Sequence, residues 1–168
     1  MMKKVTLAVM AVAANACAGV AAPPVTHADS VVPQANSPCS TDFANAMAWP
    51  PGEQTPLACV AQPNSGFQWQ PVANPFPPSN RWLTYGPDLK LHGEGLRNPE
   101  IQKGNWTAVP LDPDSQCRAE QIAVVSAGVV SPPQVSEGAK GQPLSFQVVP
   151  KLFSIQMTGK CLWTKADS

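Results

Sequence analysis

His92 and Glu94, in the run Lys90-Leu91-His92-Gly93-Glu94-Gly95, come nearest to a reactive pair by type and spacing. On an extended backbone, side chains two residues apart point the same way, so this pair could work as a His–carboxylate couple or as two ligands of a metal ion. A zinc hydrolase wants a third protein ligand, and none stands at a recognisable spacing. A Ser-His-Asp hydrolase wants a G-x-S-x-G elbow, which is missing. Glycoside hydrolysis needs two suitably separated carboxylates, and Asp88, Glu94, Asp112 and Asp114 could supply them. Asp112-Pro113-Asp114 nevertheless reads more simply as a turn. His92 is also readable as a plain loop histidine beside a glycine, so the sequence assigns no catalytic residue and implies no cofactor or metal.

Aromatic residues offer a second kind of chemistry. Trp69, Trp82, Tyr85 and Trp106 lie in a loop-rich part of the chain, where binding residues concentrate, and exposed rings of this type stack on sugars. With His92 and Glu94 they make the candidate ligand surface. The alternative is that the rings form the core of a region short of aliphatic residues. A coplanar exposed row would point to glycan binding, whereas a cleft holding His92 with two or more of Asp88, Glu94 and Asp112 would point to catalysis. With neither, a protein-binding or structural role gains.

Four cysteines, Cys39, Cys59, Cys117 and Cys161, lie beyond the first thirty residues, and no two are closer than twenty residues, which argues against a zinc site. A catalytic thiolate would want an activating base, and Ser115-Gln116-Cys117 has no adjacent His. An even count reads instead as two disulfides. Three connectivities are possible; Cys39 with Cys59 and Cys117 with Cys161 is favoured because each bridge would staple one of two compositional regions. In the chain-entropy account, loops of about 20 and 45 residues contribute about 3 and 4 kcal/mol.

The elements that must position these residues differ between the two regions. Residues 29–113 hold 14 prolines. Proline fixes φ and removes a backbone donor, so residues 39–113 are expected to be largely irregular, with one short helix over Asp42–Trp49 capped by Ser40 or Thr41 and stopped by Pro50. Residues 29–38 read as a flexible leader. From residue 114 onward β-branched residues dominate. Gln121–Ser126 reads as a strand resumed at Val129-Val130, Ser136–Gln142 as a loop, and Leu144–Val149 and Phe153–Thr158 as alternating strands. Thr158-Gly159-Lys160 reads as a turn, with Cys161–Lys165 extended beyond it. The expected fold is mainly β: a small antiparallel sandwich or open barrel, with a β meander at 114–168 whose first and last strands the Cys117–Cys161 bridge would join, all within one domain spanning 39–168.

The N-terminus carries Lys3 and Lys4, then eighteen uncharged, mainly apolar residues from Val5 to Ala22, then the small-residue site Thr26-His27-Ala28. This is signal-peptide anatomy, with cleavage expected after Ala28. Asn15, Gly19 and Pro23-Pro24 argue against a retained anchor, and Ala14-Asn15-Ala16 before Cys17 departs from the lipoprotein pattern, so lipidated Cys17 is the lesser alternative. Of the 11 Lys+Arg, Lys3 and Lys4 would leave with the signal, so 9 basic residues face 11 acidic ones, a formal charge of −2 that gives no case for nucleic acid or an anionic membrane. The membrane is expected to matter only during export.

The Ala- and Val-rich leader ending in His27-Ala28-Asp29, the low Lys and high Pro content, and the tail Gly159-Lys160-Cys161-Leu162-Trp163 resemble small exported proteins of mycobacteria and related actinomycetes. That resemblance covers the leader and the tail only, and it implies a compartment without an activity. The expectation is a secreted or cell-envelope-associated, non-enzymatic protein acting by surface binding of a protein or glycan, with a small glycan or peptidoglycan hydrolase as the alternative. N-terminal sequencing of the exported protein should begin at Asp29; a chain beginning at Met1 or at a modified Cys17 would overturn the cleavage.

Overall fold

The computed structural model describes residues 32–63 and 66–166. The expected signal peptide 1–28, Cys17 and the first residues of the leader lie outside them. Among the described residues the strands are β1 (Pro38–Cys39), β2 (Met47–Ala48), β3 (Leu57–Ala61), β4 (Phe67–Pro71), β5 (Arg81–Leu91), β6 (Gly104–Pro110), β7 (Arg118–Ser126), β8 (Val129–Val130), β9 (Gln134–Glu137), β10 (Leu144–Val148) and β11 (Leu152–Lys165). They form one 11-stranded sheet with the path β1-β4-β3-β2-β5-β11-β6-β10, from which β7 branches beside β11 and carries β8 and β9. All pairings are antiparallel except β2 with β5.

Strand β11 is the hub. Along one side it pairs with β5, from Ile155 opposite Leu91 to Thr164 opposite Arg81. Along the other it pairs first with β7, up to Thr158 opposite Arg118, and then with β6, from Cys161 opposite Pro110. The exchange falls at Gly159, which has φ +98°, and a Cβ there would collide with the carbonyl oxygen of Gln116. Only glycine meets both demands. The expected turn at Thr158–Lys160 is therefore part of one continuous strand, and the register shift beside it leaves Pro87 and Asp88 opposite Thr158 alone, a bulge carried by β5. The C-terminal strands are also not a simple meander, since β10 pairs with β6 and β11 with β5.

Both expected disulfides are present, Cys39–Cys59 and Cys117–Cys161, each with Cα atoms 6.1 Å apart. The second lies beside Gly159 and links the foot of β7 to β11.

The proline-rich half is more regular than its composition suggests, because its prolines fall where a ladder loses least. Pro38 opens β1, Pro71 and Pro110 close β4 and β6, and Pro87 stands in β5 opposite the interruption between Met157 and Gly159. The helix expected over 42–49 is absent. Ser40 does cap a turn, its hydroxyl accepting from the Asp42 N–H, but this is a 3-10 turn of three residues, Thr41–Phe43. Asn45 then takes φ +61° and donates to the Cys59 carbonyl, which draws Met47-Ala48 into the sheet. Tertiary pairing beside the disulfide overrides local helix preference. The end of the leader is also tied down: the Asn36 N–H donates to Trp69 O and the Trp69 N–H to Ser37 O.

β5 is covered on both sides. Trp82, Leu89 and Leu91 belong to the larger core with Trp106, Ile155, Met157 and Trp163, while Leu83 and Tyr85 belong to a second core with Leu57, Cys59 and Trp69. Between strands, the buried Thr84 hydroxyl donates to Cys161 O at 3.2 Å and accepts from the Cys161 N–H at 3.2 Å and the Trp163 indole N–H at 2.8 Å. Thr84→Val keeps the shape and removes every one of these bonds, so it should lower the stability by about 2 kcal/mol, with Thr84→Ser retaining most of it. Urea unfolding midpoints at an unchanged slope measure this, and equal midpoints for the Val variant and the parent would refute it.

Candidate functional site

Immediately after β5 the chain closes a tight loop from His92 to Glu100. The Glu100 N–H donates to His92 O at 2.9 Å, and the Glu100 carboxylate Oε2 accepts from the His92 backbone N–H at 2.9 Å and lies 2.7 Å from His92 Nδ1. Asn98, at φ +55° before Pro99, makes the reversal. The loop is pressed onto the start of β11. A Cβ on Gly93 would stand 2.6 Å from Leu152 Cβ, and one on Gly95 would stand 2.6 Å from the carbonyl oxygens of Lys151 and Leu152. Close approach explains the two glycines that flank Glu94.

His92 thus has a carboxylate partner, but it is Glu100 and not Glu94. The extended conformation that would align residues 92 and 94 ends at Leu91, and Glu94 instead meets Lys103 Nζ at 3.2 Å and accepts from the Lys151 N–H. These contacts hold the Glu94 carboxyl below its usual range, the Lys103 hydrogen bond contributing most. Burial pushes the Glu100 carboxyl above its usual range, against the opposing hydrogen bonds and charge of His92. Asp112 belongs to a distant turn, where Ser115 chiefly lowers its pKa. Its Oδ1 accepts from the Asp114 N–H, the turn read from the sequence.

An open groove of about 660 Å³ lies over this pair. The Trp49-Pro50-Pro51-Gly52-Glu53 turn lines one side, β5 from Pro87 to Leu91 with His92 and Glu100 lines the floor, and Leu96, Phe153 and Ser154 complete it. Trp49 is half-buried: its indole N–H donates to Glu53 O at 3.0 Å, and its ring stands edge-to-face with Phe76 at 6.0 Å. Asp88 accepts from the Gln156 amide at 2.8 Å. Of Asp88, Glu94 and Asp112, the groove gathers only Asp88 with His92. A carboxylate-oriented imidazole can take up or release a proton, but among the described residues no side-chain hydroxyl or thiol hydrogen-bonds to it. Nor does a third His, Cys, Asp or Glu join His92 and Glu100 as a metal-ligand set there.

The four rings put forward as a ligand surface are interior. Trp69 is 4% exposed, Trp82 0%, Tyr85 7% and Trp106 1%, so none offers a face for stacking. Their region is poorer in aliphatics than the strands after it, and the sheet buries the rings together with Leu57, Leu83, Leu89, Leu91 and Ile101. Tyr85 still serves the groove indirectly, its hydroxyl donating to the Trp49 carbonyl at 3.3 Å. Sequence reading missed Trp49, Glu100 and Phe153 as lining residues. Two signals were available: Pro50-Pro51-Gly52 after Trp49 marks a turn, and Asn98-Pro99 marks the reversal that returns Glu100 to His92.

Compared with known proteins, the chain matches no family model, no curated protein and no solved structure.

Because the folded state holds the Glu100 carboxyl above its unfolded value, the native protein binds more protons than the unfolded chain in the window between the two values. Stability therefore falls as pH rises through that window, and the cost persists above it. Glu100→Gln removes the titration, so thermal unfolding from about pH 4 to pH 7 should show the variant gaining on the parent as pH rises. A constant difference in Tm across that range would contradict the assignment.

Proposed function

We propose that this is an exported, envelope-facing binding protein that holds a protein or glycan ligand in the groove between the Trp49–Glu53 turn and β5. The observation that carries the reading is the groove itself, in which half-buried Trp49 and exposed Leu96 and Phe153 meet the polar groups of Asp88, His92 and Glu100. Ligand sites combine apolar walls with a few placed polar groups in this way. Two disulfides in the described residues are compatible with an oxidising space outside the cytoplasm, which supports export.

The hydrolase alternative draws on one feature, the imidazole oriented by a buried carboxylate. The groove also holds the carboxylates of Glu53, Asp88 and Glu100, but no side-chain hydroxyl or thiol hydrogen-bonds to His92 among the described residues. Binding is therefore the better supported reading.

The test is retention of the exported form on cell-wall and membrane-protein fractions, comparing the parent with Leu96→Glu and Phe153→Glu. Both side chains are exposed, so the fold should tolerate the changes. Retention falling at least about tenfold in both variants, a loss of about 1.4 kcal/mol, would support the groove. Unchanged retention, or release of soluble fragments from the wall fraction that His92→Gln abolishes, would overturn the binding reading.

A further inference from the structure

Glu100 sits in an unusual electrostatic position. The residue is 9% exposed, and its Oε2 already serves both the His92 N–H and Nδ1, while Oε1 has no hydrogen-bond partner among the described residues. That oxygen is not among the fully buried unpartnered atoms, so it opens on the groove, where a cationic N–H donor can reach it and form a charge-assisted hydrogen bond. The charged lining agrees in sign: Glu53, Asp88 and Glu100 stand against Lys90.

Apolar surface then leads out of the groove. Leu96 and Phe153 are 42% and 36% exposed at its margin. Phe153 falls at the irregularity where Leu152 opposes Ala123 and Ser154 opposes Ile122, which sets it beside β7. Gly95, next to Leu96, packs on Val124, whose cross-strand partner Val130 is exposed. Val135 of β9, opposite Glu120, is exposed as well. Branched aliphatic side chains make a poor platform for a sugar ring, and Trp49 has its N–H engaged and its ring packed on Phe76. The same surface suits the side chains of a peptide.

Resting on the binding role proposed above, we infer that the groove takes an extended peptide segment of another protein, placing a basic side chain against Glu100 and Asp88 and apolar side chains on Leu96, Phe153 and the β7–β9 valines. Arginine fits better than lysine, because its planar fork can engage a carboxylate oxygen and a neighbouring acceptor together.

The probes are a synthetic peptide of about eight residues with Val and Pro around a central Arg, enough to cross the groove in extended form, the same peptide with citrulline for Arg, and an N-acetylglucosamine tetramer. Binding to the disulfide-bonded protein is followed by amide NMR shifts. The expected result is a response at Gly52, His92 and Leu96 with the Arg peptide, at least about tenfold weaker with citrulline and similarly weakened by Glu100→Gln or Asp88→Asn. The Asp88→Asn variant guards against misreading a folding defect, since Asp88 is exposed. Equal affinity for the Arg and citrulline peptides, or shifts at these residues with the sugar alone, would overturn the peptide assignment. The sugar result would leave the groove's binding role standing, whereas no shift there with any probe, together with unchanged retention of the Leu96→Glu and Phe153→Glu variants, would remove both.

Discussion

Strand β11 can serve two neighbours in succession on one side only because Gly159 absorbs the offset between them. Up to Thr158 it is paired with β7, and from Cys161 with β6, while β5 continues along the other side. The left-handed backbone at Gly159 and its contact with the Gln116 carbonyl allow that exchange without a break in the strand. The Cys117–Cys161 bridge sits against the same point, so covalent and hydrogen-bonded constraints coincide there. Thr84, bonded to both Cys161 and Trp163, ties the opposite flank to it.

The groove inherits its shape from this arrangement. Its floor is the far end of β5, and the loop carrying His92 and Glu100 is held against the start of β11 by contacts that any side chain at Gly93 or Gly95 would block. Glu94, bonded to Lys103 and to the Lys151 N–H, pins the same loop from outside. The other wall, the Trp49–Glu53 turn, is held by Tyr85 from the same strand. β5 therefore supplies the floor of the site and one support for its wall, and it is the strand covered on both sides by core.

Burial of the large rings follows from composition. Residues between the first disulfide and β7 contain few aliphatic side chains, and Trp69, Trp82 and Trp106 supply the apolar area that two thin cores require. The polar edge of Trp106 is served, its N–H donating to the Gln102 carbonyl. The Trp82 indole nitrogen is instead buried without a partner among the described residues. Shape and area outweigh one unmade hydrogen bond at the centre of the sheet.

Local signals in the chain were enough for the β character, for strand β10 at Leu144–Val148, for the Ser40 cap, for the Asp112 turn and, through the distribution of cysteines between two compositional regions, for the disulfide pairing. Each depends on residues close in sequence or on a count of two bridges. Tertiary structure decided what depended on distant partners. Whether Gly159 turned the chain or stayed within a strand rested on β5, some seventy residues away, which pairs with β11 on both sides of that point. Whether Met47-Ala48 stayed helical rested on β3, and which carboxylate met His92 rested on a reversal at Asn98-Pro99. Exposure of the tryptophans was beyond local reading for the same reason: a ring's type records how much area it can bury, and only the assembled sheet sets which rings are left facing solvent.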